Sequence, residues 1–525
     1  MKAALLSVSD KSGLAEFSRC LHNAGFKLLS TSGTKQHLID NQIPVVPIEE
    51  YTGQKEILDG RVKTLHPKIH AGILAKAGNE KHFQQLAEDS IWPIDILVVN
   101  LYPFQQGLKD TSKTFAEMVE LIDIGGPTMI RAAAKNFGRV CVVSDPADYA
   151  RVAAELNATG KVSEALRLEL AAKVFTFTAQ YDLAIAKYLS AKGEREEIGS
   201  VVEGVVLQKQ QDLRYGENPG QKAGFYRRAF SEGPSWKQLG GKELSCNNLL
   251  DLDAALQLTR LLDENLVKSE STDENSCVSV IIKHLNPCGV AIANTLIESV
   301  VKAKRCDPRS HFGGILGFNV EVNSEVAAAI REDFCEIVVA PAYSEEALQL
   351  LRTSKNLRII QAPMKCGQDR GRVEMRYVDG GVLIQESDPG PSAIGEGSLM
   401  SKTAPNTQQL RDLQLAWSVC SHVKSNAIVI AKDGMIVGVG AGQMSRIDSV
   451  ELALHKARTH KHDLSGAVVA SDAFFPFPDS VETLAEAGVA AIIAPSGAKR
   501  DEDSVKAADK SQIALLFVSD RHFRH

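Results

Sequence analysis

Short apolar runs alternate with helical patterns through roughly the first 190 residues, and this alternation limits the fold more than any other feature. Residues 3–8, 26–30, 96–101 and 140–144 are apolar runs of strand length, and helix-like spacing separates them. The run at 96–101 is apolar at nearly every position, as in a parallel strand that is buried on both faces. The sequence therefore predicts an α/β layer fold with a mostly parallel sheet.

A charged stretch at residues 193–199 interrupts this pattern and lacks apolar periodicity. We place a domain boundary there, which predicts one domain over residues 1–197 and a second over 198–525. Turn-forming residues are frequent between about 355 and 400. This segment is therefore predicted to join two lobes of the second domain.

The second domain carries hairpin signals among its strands and helices. Asp379-Gly380 and Asp433-Gly434 are dipeptides typical of two-residue turns between antiparallel strands. Helical patterns, such as those at 345–352 and 407–422, alternate with the strands. This half is therefore predicted to be mixed α/β rather than purely parallel.

Composition narrows the class of protein. The net charge is −6, so there is no basic surplus of the kind that nucleic-acid binders show. No apolar run approaches the roughly 18 residues of a membrane span. The nine cysteines are scattered and form no CxxC pair, which favours reduced thiols and a cytoplasmic location. We expect small-molecule partners rather than nucleic acid or a membrane.

Three loops in the first domain combine hydroxyls or glycines with the start of a helix. They cover residues 9–13, 30–34 and 123–128. Helix N-termini present N–H donors and a positive dipole end, which suit an anion. Each loop alone is more typical of an ordinary helix cap. Together, and with the cations Arg61 and Lys63 of a turn region, they favour a phosphorylated ligand.

Lys283 and His284 follow an apolar strand of the second domain. A lysine beside a histidine at the end of a strand is a candidate acid–base pair, although a capped loop explains it equally. The aromatic run at 474–477 fits either stacking on a flat heterocycle or loop packing. His66 and His70 have the spacing of zinc ligands, but Pro67 lies between them and no HExxH glutamate is present. We therefore expect no metal site.

Motifs along the whole chain resemble one family. In the first domain they are Ser9-Asp-Lys-Ser-Gly13, Gly60-Arg-Val-Lys-Thr-Leu-His-Pro67, Asn100-Leu-Tyr-Pro-Phe104, Ile122-Asp-Ile-Gly-Gly126 and Arg131-Ala-Ala-Ala-Lys-Asn136. In the second they are Leu213-Arg-Tyr-Gly-Glu-Asn-Pro219, Lys283-His284, Phe312-Gly-Gly314, Ser425-Asn-Ala427, Gly442-Gln-Met-Ser-Arg446, Ser471-Asp-Ala-Phe-Phe-Pro-Phe477 and Asp520-Arg-His-Phe-Arg-His525. The chain resembles the bifunctional purine-biosynthesis enzymes that join a phosphoribosylaminoimidazolecarboxamide (AICAR) formyltransferase to an IMP cyclohydrolase.

This resemblance implies a fold and two reactions. The fold is a methylglyoxal-synthase-like domain over about 1–197, followed by two cytidine-deaminase-like lobes without zinc. The reactions are formyl transfer from 10-formyltetrahydrofolate to AICAR, and then ring closure of formyl-AICAR to IMP with loss of water. The resemblance also implies a homodimer with formyltransferase sites between subunits, and no catalytic metal.

The resemblance assigns roles in the second domain. His284 matches the base of formyl transfer, Lys283 the residue that stabilises the transition state, and Asn426 the residue that orients the amine and carboxamide. The positions that match nucleotide contacts are Arg214, Tyr215, Gly313, Glu336, Phe474 and Arg521. The positions that match folate contacts are Arg446, Asp479, Ala498 and Lys499.

It assigns roles in the first domain in the same way. Lys135 matches the proton donor and acceptor of ring closure, and Lys63, Tyr102 and Asp123 are similar to its helpers. The positions that match IMP contacts are Ser9, Asp10, Lys11, Thr31, Ser32, Gly33, Thr34, Arg61, Val62, Thr64, Val99, Asn100 and Ile124.

The chain departs from the family pattern in the second domain. Gly220 stands where the family commonly has a histidine. Near Pro478 the family commonly has an arginine, and near Cys246 it often has tyrosine or another large residue. Three hypotheses follow: a bifunctional enzyme, a cyclohydrolase with an impaired formyltransferase half, or a non-catalytic nucleotide-binding protein. Because a pure binder needs no base beside a cation, Lys135, Lys283 and His284 argue against the third.

Overall fold

The computed structural model describes residues 2–58, 60–110, 112–190, 204–228, 235–267, 276–364 and 373–525. The chain divides into two compact units, Met1–Val206 and Leu207–His525. The charged stretch at 193–199, on which the predicted boundary rests, lies outside the described residues.

A parallel sheet forms the centre of the first unit. Its strands are β1 (Lys2–Ser7), β2 (Phe26–Ser30), β3 (Val46–Pro47), β4 (Ile94–Val99) and β5 (Cys141–Val143). They lie in the order β3-β2-β1-β4-β5, and every pair is parallel. The apolar runs of β1 and β4 are buried on both faces, which confirms the predicted α/β class.

Helices cover this sheet. They are α1 (Leu14–Asn23), α2 (Ser32–Asp40), α3 (Ile48–Thr52), α4 (Pro67–Leu74), α5 (Glu80–Glu88), α6 (Phe104–Gly107), α7 (Phe115–Glu120), α8 (Gly125–Lys135), α9 (Tyr149–Thr159) and α10 (Glu164–Ser190). The apolar side chains that face the strands, such as Leu14, Phe17 and Leu21 of α1, make one continuous core with the sheet.

The second unit is built on a single 12-stranded sheet and two separate hairpins. Its strands are β6 (Leu207–Leu213), β7 (Ala223–Arg228), β8 (Lys237–Gly240), β9 (Cys277–Lys283), β10 (Asn286–Ala293), β11 (Ile315–Phe318), β12 (Ile337–Ala340), β13 (Arg358–Gln361), β14 (Val373–Val378), β15 (Gly381–Glu386), β16 (Ser398–Leu399), β17 (Ile428–Lys432), β18 (Met435–Gly440), β19 (Val468–Ser471), β20 (Ala491–Pro495) and β21 (Ala514–Val518). Its helices are α11 (Cys246–Leu262), α12 (Leu296–Cys306), α13 (Ser324–Arg331), α14 (Glu345–Arg352), α15 (Thr407–Cys420), α16 (Arg446–Thr459), α17 (Asp479–Glu486) and α18 (Asp501–Lys510).

The second unit contains the same arrangement twice. Each lobe begins with a helix and an antiparallel hairpin, and then alternates helices with three further strands. The strand orders are β10-β9-β11-β12-β13 and β18-β17-β19-β20-β21. The two lobes meet where β10 pairs with β18, at Ala291 and Met435. Both lobes are mixed α/β, as predicted, and they share one sheet.

Strand register brings many loops to one edge of this sheet. β9 ends where β10, β11, β12 and β13 begin, because Ile282 pairs with Ile315, which in turn pairs with Ile337. The same edge holds the start of β17 and the ends of β19, β20 and β21, since Ile428 pairs with both Gly440 and Ser471. We call it the loop edge of the 12-stranded sheet.

Candidate active sites

In the first unit, polar side chains collect where the chain changes direction across the sheet. β1 and β4 are neighbours, yet the chain continues from β1 toward β2 on one side and from β4 toward β5 on the other. In open α/β sheets the crevice at the carboxyl ends of such a strand pair is the usual ligand position. We call this crevice the switch-point site.

Asn100 links the two strands at the switch-point site. Its Oδ1 accepts hydrogen bonds from the backbone N–H groups of Ser9, at 2.6 Å, and Asp10, at 3.0 Å. Its Nδ2 donates to the carbonyl of Asp10 at 3.0 Å. Ser9 and Asp10 remain exposed, while Val99 is buried in the strand. The loop after β1 is thus fixed at the mouth of the crevice.

Three helices begin beside this crevice, and two of them have no side-chain cap. The N-cap residues of α1 and α2, Gly13 and Thr31, do not cap their helices through a side chain, whereas the Asp123 carboxylate accepts the N–H of Gly126 in the first turn of α8. The hydroxyl of Thr31 instead contacts that of Ser7 at 3.0 Å, and Thr34 accepts from the backbone N–H of Val8 at 3.0 Å. An anion bound at the start of α1 or α2 would therefore not compete with a side-chain cap, which favours the predicted anion site.

The loop with the predicted cations lies between the starts of α2 and α8. Lys63 Nζ is 2.8 Å from Glu56, which also accepts a hydrogen bond from Ser32 Oγ at 3.1 Å. A Cβ on Gly125 would lie 2.9 Å from Thr64 Oγ1, so this end of the loop touches α8. The structure therefore brings the predicted stretches 31–34, 61–64 and 123–124 to one place.

Asp123 is held at the start of α8. Its Oδ1 accepts a hydrogen bond from the N–H of Gly126 at 2.8 Å, and its own N–H donates to the hydroxyl of Tyr181 at 2.8 Å. Burial raises the pKa of the Asp123 carboxyl. A Cβ on Gly126 would lie 2.5 Å from Asp123 Oδ2, so a side chain at this position would displace the Asp123 carboxylate. Tyr102, predicted beside it, is 54% exposed and free to face a ligand.

Lys135 lies elsewhere. It is the last residue of α8, whereas Asp123 precedes the first. At about 1.5 Å of rise per residue, the two are roughly 18 Å apart along the helix. Asn136, which follows, donates to the carbonyls of Ile73 and Ala75 at 2.7 and 2.8 Å. Within one chain, the structure does not bring Lys135 to the switch-point site.

In the second unit, the loop edge collects most of the predicted residues. They come from the end of β9, the starts of β11, β12 and β17, and the loops after β18, β19, β20 and β21. The residues brought to this edge are Lys283, His284, Gly313, Glu336, Asn426, Arg446, Phe474, Asp479, Ala498, Lys499 and Arg521.

Lys283 and His284 lie at the turn between β9 and β10. Lys283 Nζ donates to the carbonyl of Phe312 at 2.8 Å, next to Gly313. His284 is exposed, and its carbonyl accepts a hydrogen bond from Asn286 Nδ2 at 3.1 Å. Asn286 Oδ1 in turn accepts from the backbone N–H of Lys424 at 3.0 Å. One asparagine therefore ties the turn of the first lobe to the Ser425–Asn426 segment of the second.

Arg446 anchors Asn426. Its guanidinium donates to Asn426 Oδ1 at 2.7 Å and to Ser471 Oγ at 2.9 Å, and it forms an ion pair with Asp472. The side chains of Arg446 and Asp472 are 6% and 0% exposed. Ser425 Oγ also donates to Asp472, at 2.6 Å. The predicted contact between Arg446 and folate stays a prediction. In the structure, Arg446 holds the amide of Asn426 in one orientation.

The remaining loop-edge residues present open surface. Asp479, Lys499 and Arg521 are exposed, and Phe474 is half-buried. The Asp501 carboxylate accepts a hydrogen bond from the backbone N–H of Ala498 at 3.2 Å, which stabilises the loop after β20.

Two residues of the first lobe that were predicted to contact the nucleotide already have partners within the protein. Gly313 has φ +72°, a conformation that favours glycine, and its N–H donates to Phe334 at 2.7 Å. Glu336 pairs with Arg358.

Arg214 and Tyr215 lie on a separate element, the loop between β6 and β7. The guanidinium carbon of Arg214 is 5.5 Å from the centre of the Tyr215 ring. Asn247, on α11, donates to the carbonyl of Glu217 at 3.4 Å, which connects this loop to the first lobe.

Sequence reasoning did not single out several residues that build these sites. Tyr181 supports Asp123 from α10, 58 positions along the chain. Asp472 lies within the motif at 471–477, and Asn286 lies two residues after His284, but neither was assigned a role from the sequence. The available signals were weak: an acid that precedes a run of aromatic residues, and an asparagine close to the candidate base. Neither signal identifies a partner without the fold.

Comparison with known proteins identifies relatives of this chain. The family described as "AICARFT/IMPCHase bienzyme" matches residues 133–456, and the "MGS-like domain" matches residues 13–128. The chain is 47% identical to "Bifunctional purine biosynthesis protein PurH" of Bacillus cereus (strain B4264), over 100% of both chains. It is 46% identical to the protein of that name in Bacillus anthracis (strain CDC 684 / NRRL 3495) and 47% identical to that in Bacillus mycoides (strain KBAB4), again over 100% of both chains.

The chain belongs to the AICARFT/IMPCHase bienzyme family, and it is a bifunctional enzyme of purine biosynthesis. The family predicted from its motifs is thus confirmed. Among the described residues, no group of three or more His, Cys, Asp or Glu side chains is arranged to hold a metal ion. In the same part of the chain, no helix combines the length and apolarity needed to cross a membrane.

Proposed function

We propose that the two reactions take place in two separate sites. The loop edge of the 12-stranded sheet transfers the formyl group to AICAR, and the switch-point site closes formyl-AICAR to IMP. The observation that carries this proposal is the loop edge itself, because strand register gathers Lys283, His284 and Asn426 from two lobes.

Formyl transfer needs a base and support for negative charge. The 5-amino group of AICAR is a poor nucleophile, because the ring and the carboxamide withdraw its lone pair. We assign proton removal to the exposed His284. A positioned general base increases the rate by roughly 10²–10⁴. Lys283, which reaches Phe312 on the adjacent segment, stabilises the tetrahedral oxyanion. The Asn426 amide, fixed by Arg446, orients the substrate.

Ring closure is intramolecular, so proximity supplies much of the rate. The starts of α1 and α2, which have no side-chain cap, are suited to the phosphate of the substrate, together with Arg61 and Lys63. We assign proton exchange with the reacting groups to Asp123, at the start of α8, and to Tyr102, which follows β4.

The position of Lys135 adds a requirement. A residue about 18 Å from Asp123 along α8 cannot serve the same chain's switch-point site. If Lys135 is the proton donor, a second copy of the chain must supply it. We therefore propose a homodimer in which Lys135 acts across subunits.

The remaining assignments follow the family. We propose 10-formyltetrahydrofolate as the formyl donor, contacted near Asp479, Ala498 and Lys499, and catalysis without a metal. We also propose a cytoplasmic location. The exposed side chains of the loop edge are accessible to a second substrate.

Two assays on the wild-type protein test the proposal. One supplies AICAR with 10-formyltetrahydrofolate, and the other supplies formyl-AICAR alone. We expect IMP from both. IMP from the second assay alone would favour the alternative motivated by Gly220 and Pro478, in which the formyltransferase half is impaired. If neither assay forms IMP, both enzymatic hypotheses, the bifunctional enzyme and the cyclohydrolase alone, are contradicted.

The raised pKa of Asp123 predicts a pH dependence of ring closure. The carboxylate form is the one that accepts a proton, so the rate should fall as pH decreases through the raised pKa. This acid limb should lie above the value of about 4 that is usual for aspartate. A pH–rate profile with formyl-AICAR measures it, and Asp123→Asn should lower the rate and remove the limb. An unchanged limb in Asp123→Asn would contradict the assignment.

Gly220→His should leave formyl transfer unchanged or increase it, with ring closure unaffected. The structure removes the main steric objection, because a Cβ on Gly220 meets nothing within 4 Å and its φ is not left-handed. A hydrogen bond restored to a charged group is worth roughly 1.5–3 kcal/mol. The measurement is kcat/KM for formyl transfer. A tenfold decrease in a folded variant would show that glycine is required there.

A further inference from the structure

The turn that carries His284 has an unfavourable backbone conformation. β9 and β10 are joined by His284 and Leu285, with φ of 52° and 65°. Two-residue turns of this kind prefer Asn-Gly or Asp-Gly, because side chains other than glycine are disfavoured at positive φ. A His-Leu turn therefore needs support from outside the hairpin.

Asp251 supplies that support from the preceding helix. It lies on α11, and its Oδ1 accepts a hydrogen bond from the backbone N–H of Leu285 at 2.7 Å. The group is half-buried, where a hydrogen bond to a carboxylate is strengthened by its charge. Asn286 holds the other side of the turn through the carbonyl of His284.

The second lobe contains the same device at the equivalent place. Its hairpin turns at Asp433 and Gly434, with φ of 52° and 75°. Asp412, on the helix before that hairpin, accepts both backbone N–H groups, at 3.0 and 2.8 Å. There the turn has a favourable Asp-Gly sequence and no predicted catalytic residue. In the first lobe the sequence is unfavourable, and the turn presents the proposed base.

We infer that Asp251 is a positioning residue for formyl transfer. By holding the Leu285 N–H, it fixes the left-handed turn and thereby the direction in which His284 leaves the sheet. The inference rests on the proposed role of His284. Loss of the restraint should misplace the base while leaving the substrate contacts of the second lobe intact.

Asp251→Ala tests the inference. We expect kcat for formyl transfer to fall about tenfold to 100-fold, with KM for AICAR changed by less than about threefold. Asp251→Asn keeps an oxygen that can accept the Leu285 N–H, so it should retain most of the activity. Asp412→Ala removes the equivalent acid beside a favourable turn, and it should leave kcat near the wild-type value. Ring closure should be unchanged in all three.

A double variant covers the case in which Asp251→Ala does not fold. Glycine adopts positive φ without strain, so Asp251→Ala combined with Leu285→Gly should fold and recover part of the lost kcat. The inference is overturned if Asp251→Ala keeps a wild-type kcat, if Asp251→Asn is as impaired as Asp251→Ala, or if the double variant recovers nothing. If His284→Ala itself is fully active, the proposed function fails and the inference fails with it.

Discussion

His284→Ala is expected to lower formyl transfer at least about 100-fold and to leave ring closure of formyl-AICAR intact. The reason is that His284 is the exposed imidazole at the loop edge, while the switch-point site belongs to the other unit. Lys283→Ala should have a similar effect. The double variant should lose less than the product of the two effects, because the pair acts as a unit. Initial rates with AICAR and 10-formyltetrahydrofolate measure this.

His455→Ala is a suitable control, because it removes an exposed imidazole on α16 that has no proposed role. It should leave both activities unchanged. Near-normal formyl transfer by either His284→Ala or Lys283→Ala would contradict the proposed chemistry.

Lys135→Ala should abolish IMP formation from formyl-AICAR and spare formyl transfer. The side chain is exposed at the end of α8, so its removal should not disturb the core. Lys161→Ala, at another exposed position of the same unit, serves as the control. Loss of both activities in a folded Lys135→Ala protein would contradict the assignment.

The proposed action of Lys135 across subunits has its own test. After subunit exchange between Lys135→Ala and Asp123→Asn, each mixed dimer should contain one site with both residues intact. Ring closure should therefore recover to a substantial fraction of the wild-type rate. No recovery, with mixed dimers shown to form, would contradict action across subunits.

The sequence predicted the elements whose signals are local. The apolar run at 26–30 predicted β2 with its observed bounds, and the Asp-Gly dipeptides located both predicted hairpin turns. Some strand ends shifted by one or two residues, as for β4, observed at Ile94–Val99 against the predicted 96–101. The apolar run at the end of a strand does not show which residue makes the last ladder hydrogen bond.

The hairpin that carries His284 was not predicted as a hairpin. Its turn contains no glycine, so the usual signal is absent, and the support comes from Asp251, 34 positions earlier. The two lobes were predicted, but their common strand order was not, because it lies in the pairing of distant strands and not in a short sequence period. Contacts between distant positions decide both features.

The sequence indicated which segments carry the candidate site residues, but not how those segments are arranged. The loops at 9–13 and 30–34 follow neighbouring parallel strands, whose carboxyl ends share one edge of the sheet, whereas the loop at 123–128 follows a helix. That these loops bind a phosphate stays a prediction. The resemblance assigned Lys135 and Asp123 to one reaction, but α8 separates them, because Asp123 precedes its first turn and Lys135 is its last residue. The 12-residue spacing already contained this information, once the segment was known to be helical. Arg446, predicted to contact folate, proved to be enclosed by Asn426, Ser471 and Asp472.

The central claim is that two independent sites complete the two steps, and a mixing experiment tests it most directly. His284→Ala and Lys135→Ala proteins are purified separately and supplied with AICAR and 10-formyltetrahydrofolate. Each alone should form almost no IMP, the first for lack of formyl-AICAR and the second for lack of ring closure. The mixture should form IMP at a substantial fraction of the wild-type rate. A mixture that forms no more IMP than the sum of its parts would contradict the account.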